Sequence, residues 1–174
     1  NETEKKLLVR LPYRVGLWVS ESDETGGDEA DKAEMAALET IITAFAEDFC
    51  KSEFVEIVMR EAMNQKEDWK SWDNDIDTIP AECRAAVEAI VPHMSVKDVS
   101  SFKLNLMEIA MDVAMAFREV DVSSSLLDKI QVYSRYYSQS IFAKIRGNQP
   151  PNLDELMNIS IAEQKALHEL TQAL

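Results

Sequence analysis

The sequence predicts an all-α protein, a single-domain bundle of about seven to eight helices containing two related helix–turn–helix units. Three observations carry this expectation. Glycine and proline are scarce, four and five in 174 residues, while good helix formers such as Ala, Leu, Met, Glu and Lys are common. Apolar residues recur at spacings of three and four along most of the chain. An acidic turn occurs twice, each time after one apolar helical segment and before another.

The elements follow in chain order. Leu7, Leu8, Leu11, Val15, Trp18 and Val19 keep helical spacing and predict a first helix over roughly 3–20. Pro12 lies inside it and is expected to kink or locally break it, because proline lacks the N–H and crowds the preceding turn. Residues 21–29 read as an acidic turn containing glycine. A second helix runs from about Asp28 to Phe49, with Met35, Leu38, Ile41, Ile42 and Phe45 on one face. Asp28, Glu29 and Asp31 suit the positive end of its dipole. Residues 52–65 predict a third helix, with Phe54, Val55, Val58, Met59 and Met63 inside.

A short segment with Trp69 and Trp72 leads to a second acidic loop, Asp73-Asn-Asp75-Ile-Asp77. Pro80 sits where the first turn of a helix tolerates it, so a helix is expected over about 79–91, stopped by Pro92. Ser95 with Asp98 resembles a capping box for a long helix to about Glu119, with Phe102, Leu106, Ile109, Val113 and Phe117 as core positions. Ser125 with Asp128 opens another helix, to about Ile145. Gly147-Asn-Gln-Pro-Pro151 is the clear linker. It divides a helical domain, 1–146, from a C-terminal part, 147–174. There Asn152/Glu155 and Ser160/Glu163 predict two short helices docked on the main body through Leu153, Leu156, Ile159, Ile161, Leu167 and Leu170.

Composition narrows the function. The chain is long enough for one domain with a full hydrophobic core, and 46% of it is apolar. Eighteen basic against thirty-two acidic residues give a net charge of −14. Such a surface repels a phosphate backbone and suits cations or basic partners. Cys50 and Cys83 match no zinc pattern and read as buried reduced thiols. No stretch approaches the roughly 18 uninterrupted apolar residues of a membrane span. No signal peptide is visible, so the expected location is the cytoplasm. Residue 1 is Asn rather than Met, which leaves a preceding leader open.

The repeat aligns residues 8–23 with 106–121. Leu8 meets Leu106, Leu11 meets Ile109, Val15 meets Val113, Leu17 meets Met115 and Asp23 meets Asp121. With one extra residue in the first turn, Asp31-Lys32 meets Asp128-Lys129. Asp23, Asp28, Asp31 and Lys32 form one series around a turn, and Asp121, Ser125, Asp128 and Lys129 form the other. This pattern resembles the TerB-like (tellurite-resistance B) proteins, over roughly residues 5–146. Neither copy has the family's Gly directly after the first Asp: Glu24 and Val122 stand there. Asp31 and Asp128 replace its usual Glu, and Ser125 replaces an acid. The resemblance implies an all-α bundle of about seven helices, a link to tellurite resistance and stress response, and no established catalytic activity.

The first turn holds seven acids between Glu21 and Glu34, against one Lys. Crowded carboxylates repel unless a cation neutralises them. Asp23 and Glu34 are spaced like the ends of an EF-hand loop, but Thr25 and Asp28 occupy interior positions such a loop cannot use. An irregular Ca²⁺ or Mg²⁺ site through Asp23, Asp28 and Asp31 is therefore the metal expectation. Helix capping plus a solvated acidic loop is the competing reading, and it carries more weight. Asp121 and Asp128 form a weaker counterpart. Asp73, Asp75 and Asp77 give the D-x-D-x-D opening of a Ca²⁺ loop, but Thr78 stands where Gly is required and Arg84 where the bidentate Glu belongs. The competing reading is a surface loop with Asp77 or Thr78 capping the next helix.

Other features are weaker still. Trp69 and Trp72 read as an aromatic anchor or, more simply, as the edge of a core. His93 and His168 lack ligand neighbours and receive no role. Lys129, Arg135, Lys144 and Arg146, interleaved with Tyr133, Tyr136, Tyr137 and Phe142, form a basic aromatic stretch, but the overall charge argues against nucleic acid. The expected function is that of a non-enzymatic TerB-like helical protein. It would act through protein partners or homo-oligomers, with divalent cation binding at the first turn. The alternatives are a helical adaptor or dimerisation module unrelated to tellurite resistance, and an enzyme using its carboxylates as acid and base.

Overall fold

A computed structural model of the chain describes residues 1–22, 28–48, 50–116 and 161–174; within these helices the side chains of 28–35, 48, 115, 116 and 161 are not described. The described residues form an all-helical bundle. Its helices are α1 (Glu2–Ser20), α2 (Asp28–Asp48), α3 (Glu53–Asn64), α4 (Ile79–Ile90), α5 (Val96–Ala116) and α6 (Ile161–Ala173). Two 3₁₀ helices, Lys66–Trp72 and Ile76–Thr78, join α3 to α4. Among the described residues no helix is long and apolar enough to cross a membrane.

The start of α1 is set by Asn1, whose side chain accepts from the Glu4 N–H at 3.0 Å while its amide donates to the Glu4 carboxylate at 2.8 Å. Pro12 lies inside α1 and is buried, yet the helix runs on from it to Ser20 without the expected break. Leu11, Tyr13, Val15 and Val19 are fully buried. The acid-rich stretch thus joins the C-terminus of α1 to the N-terminus of α2, which begins at Asp28.

α1 and α5 form the central pair, and each packs against every other described α-helix. Gly16 lies at one of their contacts. A Cβ there would stand 2.2 Å from Leu38 Cδ1 of α2 and 3.3 Å from Val113 Cγ2 of α5. Glycine is therefore what lets three helices meet at this point. Of the apolar positions expected on this helix, Phe102, Leu106, Ile109 and Val113 are at 0% exposure, and Phe117 lies outside the described residues.

Ser52 caps α3 through its hydroxyl, which accepts from the Val55 N–H at 3.3 Å. The following 3₁₀ helix turns Trp69 and Trp72 inward. Their rings pack on Tyr13, with centroids at 5.0 and 6.1 Å, and Trp69 Nε1 donates to the Ala62 carbonyl. The tryptophans close the core edge, as the simpler reading had it. α4 carries Pro80 in its first turn and ends two residues before Pro92. Ser95 opens α5, accepting from the Asp98 N–H at 3.2 Å and donating to the Asp98 carboxylate at 2.6 Å. α6 docks through Leu167 and Leu170 on α1, α4 and α5, and Trp18 Nε1 donates to the Ala166 carbonyl. The helix expected after Asp128 and the one expected after Asn152 lie outside the described residues.

Candidate functional site

Among the described residues, two polar constellations are built into the bundle. The first centres on Arg14, which points from α1 into the α3–α4 connection and is 3% exposed. Its guanidinium forks onto Glu82, with Nε to Oε2 at 2.9 Å and Nη2 to Oε1 at 3.1 Å. Nη1 donates to the carbonyls of Trp72 and Asn74, the latter at 2.7 Å, and Nη2 to the carbonyl of Asp75 at 3.1 Å. Asp75 adopts the left-handed conformation, φ 53°, which Asp tolerates better than most residues. The hydroxyl of Tyr13 donates to Asp73 Oδ1 at 2.7 Å. Burial and then the Asp73 carboxylate push that hydroxyl's pKa above the ordinary tyrosine value.

This arrangement sets the chemistry of the 73–77 loop. Converging carbonyls, which in a Ca²⁺ loop would face the ion, here face the guanidinium. Asp75 and Asp77 are exposed, and Asp73 is engaged with Tyr13. Among the described residues no group of three or more His, Cys, Asp or Glu side chains is gathered closely enough to hold a metal. Thr78 occupies the N-cap position of α4 without capping it. Its hydroxyl donates to the Asp75 carbonyl at 2.6 Å and lies 3.0 Å from Glu82 Oε1. The expected cap is absent because the threonine is recruited into the Arg14 network.

The second constellation is a polar stripe on α5. Ser101, Asn105, Glu108 and Asp112 follow one another at helical spacing and share one face. All four are buried, at 7%, 3%, 2% and 4% exposure. Lys51, in the connection between α2 and α3, reaches in from the surface and pairs with Glu108; its own side chain is 36% exposed. Burial raises the Glu108 pKa, opposed by the Lys51 ammonium. Asp112 is raised well above the ordinary carboxylate value, first by burial and then by repulsion from Glu108. Among the described residues Asp112 Oδ2 and both polar atoms of the Asn105 amide have no hydrogen-bond partner. Each such buried group costs about 1–3 kcal/mol, which a purely structural core would avoid.

The expected metal residues are placed as follows. Asp28 and Asp31 fall in the first turn of α2. Their side chains, and Asp23, Asp121 and Asp128 entirely, lie outside the described residues. His93 and His168 are exposed, and the latter lies 2.8 Å from the Gln172 amide nitrogen. Cys83 is buried and Cys50 half-buried, both as free thiols. Sequence reasoning missed Arg14 and the α5 stripe. Their signals were an Arg in the otherwise apolar stretch 11–19, and polar residues recurring on one face of a largely apolar helix. No protein-family model, curated protein or solved structure matches this chain.

Proposed function

We propose that the chain is a non-enzymatic TerB-like helical module of a tellurite or stress-response system, working through protein contacts and divalent cations at its acidic turns. The observation that supports this reading is how α1 packs on α5, the two helices that the proposed repeat pairs. Under the repeat, Leu8 is matched with Leu106, so Gly16 is matched with Ala114. Two helices related by a twofold axis must meet near equivalent residues. Gly16 packs beside Val113, the neighbour of its equivalent, and both Gly16 and Ala114 are small and buried. The matched apolar residues Leu11 and Ile109, and Val15 and Val113, are also fully buried. Even the buried charges correspond, since Arg14 is matched with Asp112.

A cross-complementation experiment tests the reading. Expression of the chain in a tellurite-sensitive bacterium is expected to raise the tellurite concentration the cells survive. The triple change Asp23→Asn, Asp28→Asn and Asp31→Asn is expected to remove that protection while leaving the protein folded. Equal survival with and without the chain would reject the assignment to tellurite resistance. Full protection by the triple variant would reject the acidic turn as its working part.

A further inference from the structure

We infer that the buried face of α5 binds one divalent cation of the Mg²⁺ class, held by the carboxylates of Glu108 and Asp112 with the Asn105 amide oxygen beside them. This site uses none of the acidic-turn residues, and the inference does not rest on the TerB-like reading. Glu108 and Asp112 are one helical turn apart, about 5–6 Å between Cβ atoms, so a single ion can bridge them. Two buried carboxylates call for two positive charges. Lys51 supplies one and bonds Glu108, while Asp112 Oδ2 has no partner among the described residues.

The donor set identifies the ligand class. Carboxylate and amide oxygens select hard cations over zinc or copper. Two carboxylates fall short of the six to eight oxygens that Ca²⁺ gathers, but they match Mg²⁺ or Mn²⁺, which retain part of their water shell. Asn105 is the independent sign of a ligand. Its amide is 3% exposed, lies one turn before Glu108 on the same face, and has neither oxygen nor nitrogen bonded among the described residues. The oxygen can join the ion directly, or the amide can bond its coordinated water. Lys51 marks the entrance: its partly exposed ammonium already occupies Glu108 as a monovalent stand-in and must swing outward to admit the ion.

Titration of the full chain with Mn²⁺, read by calorimetry and by the electron-spin signal of free Mn²⁺, tests this. The wild type is expected to bind one equivalent, displaced by Mg²⁺. Asp112→Asn, which keeps the side-chain shape, is expected to weaken binding by about tenfold or more. Lys51→Met, at a partly exposed position, is expected to tighten it, because the competing cation is gone. Asp28→Asn with Asp31→Asn should leave this site unchanged, which separates it from metal at the first turn. Absence of saturable binding up to about 1 mM Mn²⁺, the weak end for protein sites, would overturn the inference. So would a folded Asp112→Asn protein that binds as the wild type does, or a Lys51→Met protein that binds no tighter.

Discussion

Arg14 on α1 holds Glu82 on α4 through a two-pronged ion pair, Nε to Oε2 at 2.9 Å and Nη2 to Oε1 at 3.1 Å, across 68 residues of sequence. The Arg14 side chain is 4% exposed and that of Glu82 24%. The same guanidinium ties down the carbonyls of Trp72, Asn74 and Asp75, so one side chain fastens the whole α3–α4 connection to the central helix.

Removing Arg14 should therefore be severe. Arg14→Met leaves Glu82 without its counter-ion and several carbonyls without donors, and is expected to cost about 3–5 kcal/mol. Arg14→Lys should recover little of this, because an ammonium cannot present a planar fork to the carboxylate while reaching the loop. Glu82→Gln, which leaves the loop contacts of the guanidinium in place, should cost less than either. Urea unfolding followed by tryptophan fluorescence measures all three. A mild loss in Arg14→Met, below about 1 kcal/mol, would mean that the network is ornamental.

Much of this bundle was legible because the determinants are local. Ser95 and Pro80 mark helix starts within a few residues of the groups they serve, and the spacing of Leu11, Val15, Ile109 and Val113 marks the buried face. The Arg14 network was not legible, since its partners lie 58 to 68 residues downstream and no periodicity links them. The D-x-D-x-D spacing gives the order of the acids but not the direction of the carbonyls between them. Asn105, Glu108 and Asp112 look in sequence like the solvent face of an amphipathic helix. They are inside because α5 from residue 104 onward is covered by its neighbours, which only the packing of those neighbours decides.

Gly16 should not accept a methyl group freely. Gly16→Ala gains about 1 kcal/mol of helix propensity. Against this, the new Cβ would lie 2.2 Å from Leu38 Cδ1, and Leu38 is 1% exposed and cannot simply turn away. Overpacking of this kind costs about 1–3 kcal/mol, so a net loss is expected. Leu38→Ala alone should cost about 2–5 kcal/mol. In the Gly16→Ala background it should cost clearly less, because the clash and the cavity cancel. Strict additivity of the two changes would contradict the contact.

The two thiols should differ in kinetics rather than in final state. Burial pushes the Cys83 thiol up to about 12, and its exposure is 0%. Cys50 is half-buried, with its pKa raised by burial and then by Glu56, and its Sγ–H donates to the Phe45 carbonyl. With a chromogenic disulfide reagent near neutral pH, Cys50 is expected to react more slowly than a free thiol. Cys83 is expected to stay silent until denaturant is added. Rapid titration of both thiols in the native protein would contradict the packing around α4.

Asp112 and Glu108 set the sign of one part of the pH dependence. Both carboxyls have raised pKa values in the folded protein, with burial as the first cause, repulsion between them adding to Asp112, and Lys51 opposing both. A raised carboxyl keeps its proton in the native state at pH values where the unfolded chain has lost it. Between the unfolded value, about 4, and the higher folded value, the native state therefore binds more protons, so stability falls as pH rises through that window. Asp112→Asn keeps the shape and removes the charge. With metal chelated, it is expected to match the wild type near pH 4, to exceed it in stability above the window, and to show a flatter profile. Urea midpoints collected from pH 4 to 8.5 measure the difference between the two curves, which isolates Asp112 from the general repulsion of an acidic surface. If the two curves run parallel across that range, Asp112 is not the buried charge that α5 carries.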